Sequence, residues 1–398
     1  MMWLALAAPV LGACKWTEFD DLEKETWVDS TEKPSIKSSD WGIAVQRGAR
    51  GPGDGGRLVV IGAGQASYSE LVYSAQGEAS FPPTAVLLQE QYGIPNIGQQ
   101  PIVLADPSSD DVSLIVGSDN GVALLTGAMG VLKSYQLFTH AAPDAAVYML
   151  APGQTRPLPL VAVGENVLGA LLPELPTGMP QPTCKLTDTA TAGFKAQVRA
   201  LGAIRSGATD DVLVWDASGK LYRYPSSVFS GCASQDPIAS LDTGIKPDAG
   251  AQILAIDATH IVLQGQTAGN GFLGLFDAMA MTPVGQGLFS PGLRTAAVLD
   301  LGTSKFVAAG VPTMSIDGTT AGGVVLYRVS AAGLDAQPAA TLHDAQPETK
   351  QSFGRGVAVM PFNGKQVLAI AADNEVFVYF RANLADGTVL YDETRQDR

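Results

Sequence analysis

The stretch "FGRGVAVMPFNGKQVLAIAADNEVFVYF", residues 353–380, consists of three short apolar runs separated by turn residues. Asn-Gly between two apolar runs is the preferred centre of a two-residue β-hairpin, and Asn363-Gly364 stands in that place. The pattern predicts three consecutive antiparallel strands, with "GTVLY" at 387–391 as the expected outer strand beside them. It also raises the question of whether the Asn-Gly turn is only a bend or the remnant of a metal-binding loop.

Similar apolar runs recur along the chain at intervals of about fifty residues, which is the range of propeller-type repeats. Each ends at Gly or at a polar turn, and most are followed closely by a second run such as "GVALLTG" or "GVVLYRV". Seven units of three or four strands predict an all-β fold, a seven-bladed β-propeller over residues 41–398. The alternatives are a pair of β-sandwiches or a solenoid, but a closed ring leaves fewer strand edges exposed. The runs are "LVVIGAG" (58–64), "LIVGSDN" (114–120), "LVAVGEN" (160–166), "VLVWDAS" (212–218), "IVLQGQT" (261–267), "FVAAGVP" (306–312) and "LAIAADN" (368–374).

The composition agrees with a large, turn-rich globular fold. Of the 398 residues, 46% are hydrophobic and 16% charged, and the chain has 44 Gly and 25 Pro. The formal net charge is −14. Because phosphate binding needs clustered Lys and Arg, this balance argues against nucleic acid and anionic lipid surfaces as partners.

The N-terminus, "MMWLALAAPVLGACKW", is apolar from Met1 to Ala13. The run is shorter than the roughly 20 residues that span a bilayer, but it suits the apolar region of a signal peptide. Leu11-Gly12-Ala13-Cys14 resembles a bacterial lipobox. The resemblance implies that residues 1–13 are removed and that Cys14 is acylated, palmitate included. The alternative is a soluble protein with an apolar N-terminus.

Lys15 follows the predicted lipidation site, which resembles the sorting signal that sends Gram-negative lipoproteins to the outer membrane. Residues 14–40 are charged, net acidic and poor in apolar periodicity, so they predict a polar tether. Trp16 and Trp27 interrupt this tether, and we expect them to dock on the domain rather than to bind a ligand.

Two cysteines remain once Cys14 is assigned, Cys184 and Cys232. An exported protein meets oxidising conditions, so these two could form one disulfide. Two separate buried thiols are the alternative, and the sequence does not decide between them.

The last predicted blade resembles the FG-GAP repeat of integrin-alpha type propellers. The resemblance is carried by Phe353-Gly354, by the run Gly356-Val357-Ala358-Val359, by Phe362-Asn363-Gly364 and by the strand 376–380. Residues 306–327 and 41–73 are similar, whereas the four middle units match only in pattern. The resemblance implies a binding or adhesion propeller.

Some blades of that family bind calcium through a loop of alternating Asp or Asn oxygens, because calcium takes six to eight oxygen ligands. Here the corresponding loop, 360–366, has Met, Pro, Lys and Gln where carboxylates would stand. The other candidate turns, Asp119-Asn120-Gly121, Asp216-Ala217-Ser218-Gly219 and Asp317-Gly318, are equally explained as tight hairpin turns. We therefore predict no metal site.

Enzyme motifs are also weak. His140, His260 and His343 lie in different repeats without metal-ligand spacing. Residues 51–56 satisfy GxGxxG, but they follow no clear strand and open no helix, so a phosphate cradle is not predicted. A propeller hydrolase would need a pair of carboxylates in its central channel, and the sequence identifies no such pair.

The sequence thus predicts a non-catalytic protein without a cofactor: a lipid-anchored propeller of the cell envelope that binds a protein or polysaccharide. The second hypothesis is an assembly-factor lipoprotein of the outer membrane, like the propeller of the barrel-assembly machinery. That family's repeats have a closing Trp in each blade, and Trp215 is the only tryptophan here beyond Trp41. The binding scaffold is therefore preferred.

Overall fold

The computed structural model describes strand segments between residues 30 and 185, and then residues 197–231, 236–302, 304–344, 352–362, 365–372 and 375–379. Thirty-two strands and one short helix, α1 (Ser227–Gly231), lie in these ranges. The first half of the chain contains β1 (Ser30–Glu32), β2 (Trp41–Gln46), β3 (Gly56–Gly62), β4 (Ser67–Tyr73), β5 (Ala79–Ser80), β6 (Val86–Leu87), β7 (Ile102–Ala105), β8 (Asp111–Ser118), β9 (Gly121–Ala128), β10 (Lys133–Phe138), β11 (Pro143–Met149), β12 (Leu158–Val163), β13 (Val167–Ala170) and β14 (Thr183–Lys185).

The second half is described almost continuously. Its strands are β15 (Val198–Ser206), β16 (Thr209–Asp216), β17 (Lys220–Pro225), β18 (Ala239–Asp242), β19 (Gln252–Ala255), β20 (His260–Thr267), β21 (Asn270–Asp277), β22 (Thr282–Pro291), β23 (Thr295–Asp300), β24 (Lys305–Val311), β25 (Ser315–Ile316), β26 (Thr319–Thr320), β27 (Gly323–Ser330), β28 (Gly333–Leu334), β29 (Ala340–Leu342), β30 (Gly356–Phe362), β31 (Lys365–Ala372) and β32 (Glu375–Tyr379).

These strands form antiparallel sheets arranged as a ring. The first strand of each sheet contacts the first strand of the next in the order β2, β7, β11, β15, β19, β23, β30 and back to β2. Each sheet then extends outward through its second, third and outermost strands. The arrangement is an all-β propeller, as the repeats predicted.

All seven apolar runs identified in the sequence occupy the same place. They form the second strand of their sheets: β3, β8, β12, β16, β20, β24 and β31. The companion runs "GVALLTG" and "GVVLYRV" form the third strands β9 and β27. The stretch 353–380, which predicted three consecutive strands, contains β30, β31 and β32 in antiparallel order.

The prediction of seven regular blades was wrong. Counted as regular four-stranded blades, the described residues form five rather than seven. In the two remaining sheets the outermost position is shared by two short strands, β5 and β6 against β4, and β28 and β29 against β27. Proline separates the two short strands in each case, at Pro82-Pro83 and at Pro338, and proline cannot donate to a strand ladder.

The closing sheet is built from both ends of the described chain. Its outermost strand is β1, which pairs with β32 through Ser30↔Val378, Thr31↔Phe377 and Glu32↔Val376. "GTVLY" at 387–391 was expected to complete this sheet, but β1 occupies the position beside β32. Residues 30–32 fall within the predicted tether; residues 1–29, with Cys14, and residues 387–391 lie outside the described part.

Apolar side chains fill the spaces between neighbouring sheets. The second strands are buried on both faces, since every residue of β12 and seven of the eight in β16 are buried. That burial explains why these runs are almost continuously apolar instead of alternating. Fully buried aromatic residues contribute to the same clusters, among them Trp215, Phe306, Phe353 and Phe377.

The turns that had been considered as calcium loops are hairpin turns where the structure describes them. The Asp216 carboxylate accepts hydrogen bonds from the Ser218 amide at 2.9 Å, the Ser218 hydroxyl at 2.6 Å and the Lys220 amide at 2.9 Å. Asp317 and Gly318, with φ of 49° and 83°, join β25 to β26. Asp119, Asn120, Asn363 and Gly364 lie outside the described residues, although Phe362 pairs with Lys365 across the last turn.

No helix in the described residues is both long and apolar enough to cross a membrane.

Candidate functional site

A cavity of about 720 Å³ lies at the centre of the ring. Its walls come mainly from the innermost strands β7, β11, β15, β19, β23 and β30 and from the residues that precede them, with Gln266 of β20 and Pro312-Thr313 after β24. The cavity is therefore the central channel of the propeller, a common position for ligands in ring-shaped folds, and its volume is in the range of small-ligand sites.

Polar side chains gather at the end of the channel where the innermost strands begin. We call this end the mouth and define it by Asp144, Gln252, Gln266, Arg294 and Arg355, all of which line the cavity. Asp144 and Gln252 are at the starts of β11 and β19, and each arginine directly precedes an innermost strand, β23 or β30. The mouth thus carries charges of both signs.

Arg294 is exposed and held in place by the neighbouring sheet. Its backbone amide donates to the Gly310 carbonyl at 2.9 Å. Its Nη1 donates to Gln266 Oε1 at 2.5 Å, and Gln266 Nε2 in turn donates to the Leu293 carbonyl at 2.8 Å. These bonds orient the guanidinium and leave its other N–H groups available, because no described carboxylate pairs with it.

Arg355 is half-buried and sits on a tight loop anchored by the residues before it. Phe353 is fully buried, with its ring 5.0 Å from that of Phe377. Gly354 has φ of 87°, and a Cβ there would lie 2.5 Å from the Gly323 carbonyl oxygen. The Arg355 amide donates to the Ala371 carbonyl at 3.1 Å. Phe353 and Gly354 therefore hold the following arginine beside the channel.

The two arginines directly precede the adjacent innermost strands β23 and β30, and their backbones come together beside Gly310 of β24. Gly310 has no room for a Cβ, because the Gly354 carbonyl oxygen and the Thr295 Cγ2 already occupy that space. The Gly310 carbonyl also accepts the hydrogen bond from the Arg294 amide. The backbones that carry Arg294 and Arg355 consequently approach each other closely on the same side of the mouth, which we call the arginine wall.

Asp144 lies across the ring from the arginine wall. Its strand, β11, is three positions away from both β23 and β30 in the seven-strand ring. Its Oδ1 accepts a hydrogen bond from Gln197 Nε2, the residue before β15, at 2.6 Å. We call Asp144 and Gln197 the aspartate wall.

Two further glutamines lie behind the arginine wall. Gln252 Oε1 accepts from the Ala296 amide of β23 at 2.8 Å. Gln264 pairs in register with Gln252 and is fully buried, and neither of its amide atoms has a hydrogen-bond partner in the described chain. A buried amide without partners destabilises the fold, because its desolvation is not compensated.

Neither of the two described histidines, His260 and His343, lines the cavity. His260 Nδ1 is 3.1 Å from both Asp257 carboxylate oxygens in the β19–β20 turn, at the opposite end of β19. Partial burial would raise the pKa of Asp257, but hydrogen bonds from Thr259 and His260 outweigh it and lower the pKa to about 2. His343 Nδ1 is 2.8 Å from the Asp344 carbonyl oxygen, and His140 lies outside the described residues.

Other predicted site residues are not brought together in the described part of the chain. Cys184 is in β14, opposite Leu168, whereas Cys232 and Cys14 are outside it, so the disulfide and the lipidation stay predictions. No group of three His, Cys, Asp or Glu suited to a metal occurs among the described residues. Asp144 is the single carboxylate among the described residues that line the cavity.

Arg294 and Arg355 were not identified from the sequence. The signal that could have found them is positional, since both directly precede an innermost strand in a chain with only 25 Lys and Arg. That signal can be used only after the innermost strands have been distinguished from the more apolar second strands.

Comparisons with known proteins support the fold. No family model matches the chain, and no curated protein matches it. Among solved structures the chain is similar to one described as the crystal structure of BBS1N in complex with ARL6DN, soaked with mercury. The TM-score is 0.56 at 9% identity, and the similarity covers 89% of this chain and 96% of that chain. At this identity the similarity shows a β-propeller fold and carries no ligand or activity to this chain.

Proposed function

We propose that the chain is a lipid-anchored β-propeller of the bacterial cell envelope that acts as a non-catalytic scaffold for a protein partner. The observation that carries the proposal is the chemistry of the mouth. Arg294 and Asp144 are held by side-chain hydrogen bonds on opposite walls, and the described residues of the cavity offer one carboxylate where a hydrolase would need two. Such a surface is suited to recognition rather than to acid–base chemistry.

A protein partner is favoured over a polysaccharide by two observations. The solved structure to which the fold is similar is described as a complex of two proteins. In addition, the described residues lining the cavity include no aromatic side chain. Sugar rings in binding sites commonly stack on aromatic faces, whereas peptides are readily held by amide and guanidinium groups.

The anchor and the location are proposed from the sequence alone. Lipidation of Cys14 would hold the chain at the membrane, since each buried CH₂ of an acyl chain contributes about 0.8 kcal/mol. Expressed in a Gram-negative host, the wild type should enter the detergent phase in a phase-partition assay, and Cys14→Ser should move to the aqueous phase. A wild type that already partitions into the aqueous phase would refute the anchor.

The scaffold itself is tested by affinity capture. The mature chain, immobilised, is incubated with solubilised envelope proteins, and the captured proteins are compared with those held by the double variant Arg294→Gln, Arg355→Gln. We expect at least one protein that the wild type retains and the double variant loses. If the wild type captures no envelope protein beyond the bare support, the scaffold function is wrong.

Protease added to intact cells distinguishes the two envelope hypotheses. Digestion from outside indicates a surface scaffold, and full protection indicates the assembly role facing the periplasm.

A further inference from the structure

The arginine wall presents charged side chains that the core of the fold does not need for its packing. Arg294 is exposed, so its guanidinium adds little to the core. It is nevertheless held by Gln266, which is itself tied to the Leu293 carbonyl. A long, flexible side chain restrained in this way loses less conformational entropy when it binds a ligand.

Arg355 reaches the same cavity from the adjacent strand. The fully buried Phe353 and the left-handed Gly354 determine the path of the backbone just before it. The close approach of Gly354 to Gly310 places this loop beside the backbone of Arg294. The chain thus presents two guanidinium groups on one side of an open cavity, in a protein whose formal net charge is −14.

We infer that the arginine wall binds a carboxylate group, and specifically an acidic side chain of a peptide segment in the protein partner. The planar guanidinium matches a carboxylate with two parallel N–H···O bonds, which makes arginine the usual residue for such recognition. Thr295, Thr313 and Ser352, whose side chains carry hydroxyl groups of the kind that donate to anions, also line the cavity.

The negative charge of Asp144 does not oppose this assignment, because it lies across the ring from the arginine wall. It also accepts a hydrogen bond from Gln197 at 2.6 Å. Asp144 instead sets a direction across the mouth, so a bound segment would have its acidic end toward β23 and β30. The inference rests on the proposed scaffold function, which it deepens by naming the chemistry that the partner presents.

The experiment measures the binding of a fluorescein-labelled tetraglutamate peptide by fluorescence anisotropy, at about 0.15 M salt so that the long-range repulsion from the acidic chain is screened. A tetraglutamine peptide with the same label is the neutral probe, and a tetragalacturonate is the sugar acid. The variants are Arg294→Gln and Arg355→Gln. Arg205→Gln is the matched control, because Arg205 is also exposed but lies at the far end of the innermost strand β15.

We expect the wild type to bind tetraglutamate and not tetraglutamine. Each arginine variant should weaken binding about ten-fold or more, the usual effect of losing a hydrogen bond to a charged group. Arg205→Gln should change the affinity less than about two-fold, since Arg205 pairs with Asp210 at the opposite end of the ring from the mouth. Circular dichroism should show the same thermal unfolding for the wild type and both arginine variants.

Equal binding of both peptides, no binding of tetraglutamate, or unchanged affinity in the arginine variants would overturn the inference. Tighter binding of tetragalacturonate than of tetraglutamate would also overturn it, by identifying a sugar acid as the ligand. The scaffold function is judged separately: if an envelope protein is captured equally by the wild type and the double variant, the scaffold stands and the arginine wall is not its contact.

Discussion

The two walls of the mouth occupy equivalent places in the ring and are built differently. On the arginine wall, each charged residue directly precedes an innermost strand and is positioned by other residues: a buried phenylalanine, a left-handed glycine and a side-chain amide. On the aspartate wall, Asp144 lies within β11 and accepts a hydrogen bond from the side chain of Gln197. The repeated fold supplies the position, and the residues just before or at the start of each innermost strand decide the charge.

The first prediction removes the anchor of the arginine wall. Phe353→Ala leaves a cavity in the cluster that includes Phe377, so the free energy of unfolding should fall by about 3–5 kcal/mol. Denaturant unfolding measures the loss. The matched variant is Phe229→Ala, in the cluster beneath the aspartate wall, which removes an equally buried aromatic ring.

The comparison of these two variants separates stability from recognition. Both should destabilise the ring, but only Phe353→Ala should weaken binding of tetraglutamate at a temperature where both remain folded. Equal binding by the two variants would show that Phe353 does not position Arg355.

The second prediction concerns the backbone of the same loop. Gly354→Ala places a Cβ 2.5 Å from the Gly323 carbonyl oxygen at φ of 87°, and should lower the free energy of unfolding by about 1–3 kcal/mol. Gly302→Ala is the control, because φ there is 80° but no atom lies within 4 Å of the added carbon. A Gly302 variant as unstable as the Gly354 variant would assign the whole loss to φ and none to the close contact.

The sequence predicted the features that repeat and missed those that do not. Apolar runs such as 368–374 identified the second strand of each sheet, because strands buried on both faces must be apolar throughout. The Phe353-Gly354 pair carried a family resemblance in the sequence, and in the structure it lies in a tight loop with φ of 87° at Gly354. The residue that lines the channel, Arg355, follows immediately, yet nothing in a single repeat marks it as facing a cavity.

The sequence pattern also did not predict the outermost strand of the closing sheet. The pairing of β1 with β32 joins residues more than three hundred positions apart, and "STE" at 30–32 has no apolar periodicity to reveal it. All three residues of β1 are polar, so hydrophobicity alone does not identify a strand at the outermost position of a sheet.

The third prediction uses the buried amide behind the arginine wall. Gln264→Met removes two polar atoms without partners and keeps the shape of the side chain, so stability should rise by about 1 kcal/mol. Gln252→Met on the paired strand removes the acceptor of the Ala296 amide, so stability should fall by a similar amount. Thermal and denaturant unfolding should therefore show changes of opposite sign. A loss in both variants would mean that Gln264 has an ordered partner.

The last and smallest effect lies outside both walls, in the turn between β19 and β20. The pKa of Asp257 is about 2, below its ordinary value of 3.8, because the hydrogen bonds from Thr259 and His260 outweigh the effect of partial burial. A lowered pKa in the folded chain means that the ionised carboxylate stabilises the fold above pH 3.8, and that this contribution is lost as the pH falls toward 2. The side chain is 39% exposed, so screening limits the contribution to less than about 1 kcal/mol.

Asp257→Ala should thus be slightly less stable than the wild type at pH 7, with the difference vanishing near pH 2. Asp242→Ala, which removes a single bond to the Gly244 amide, is the control and should show a smaller difference at pH 7. Because this turn is at the opposite end of β19 from the mouth, neither variant should alter tetraglutamate binding at pH 7; a change there would mean that the two ends of the ring are coupled.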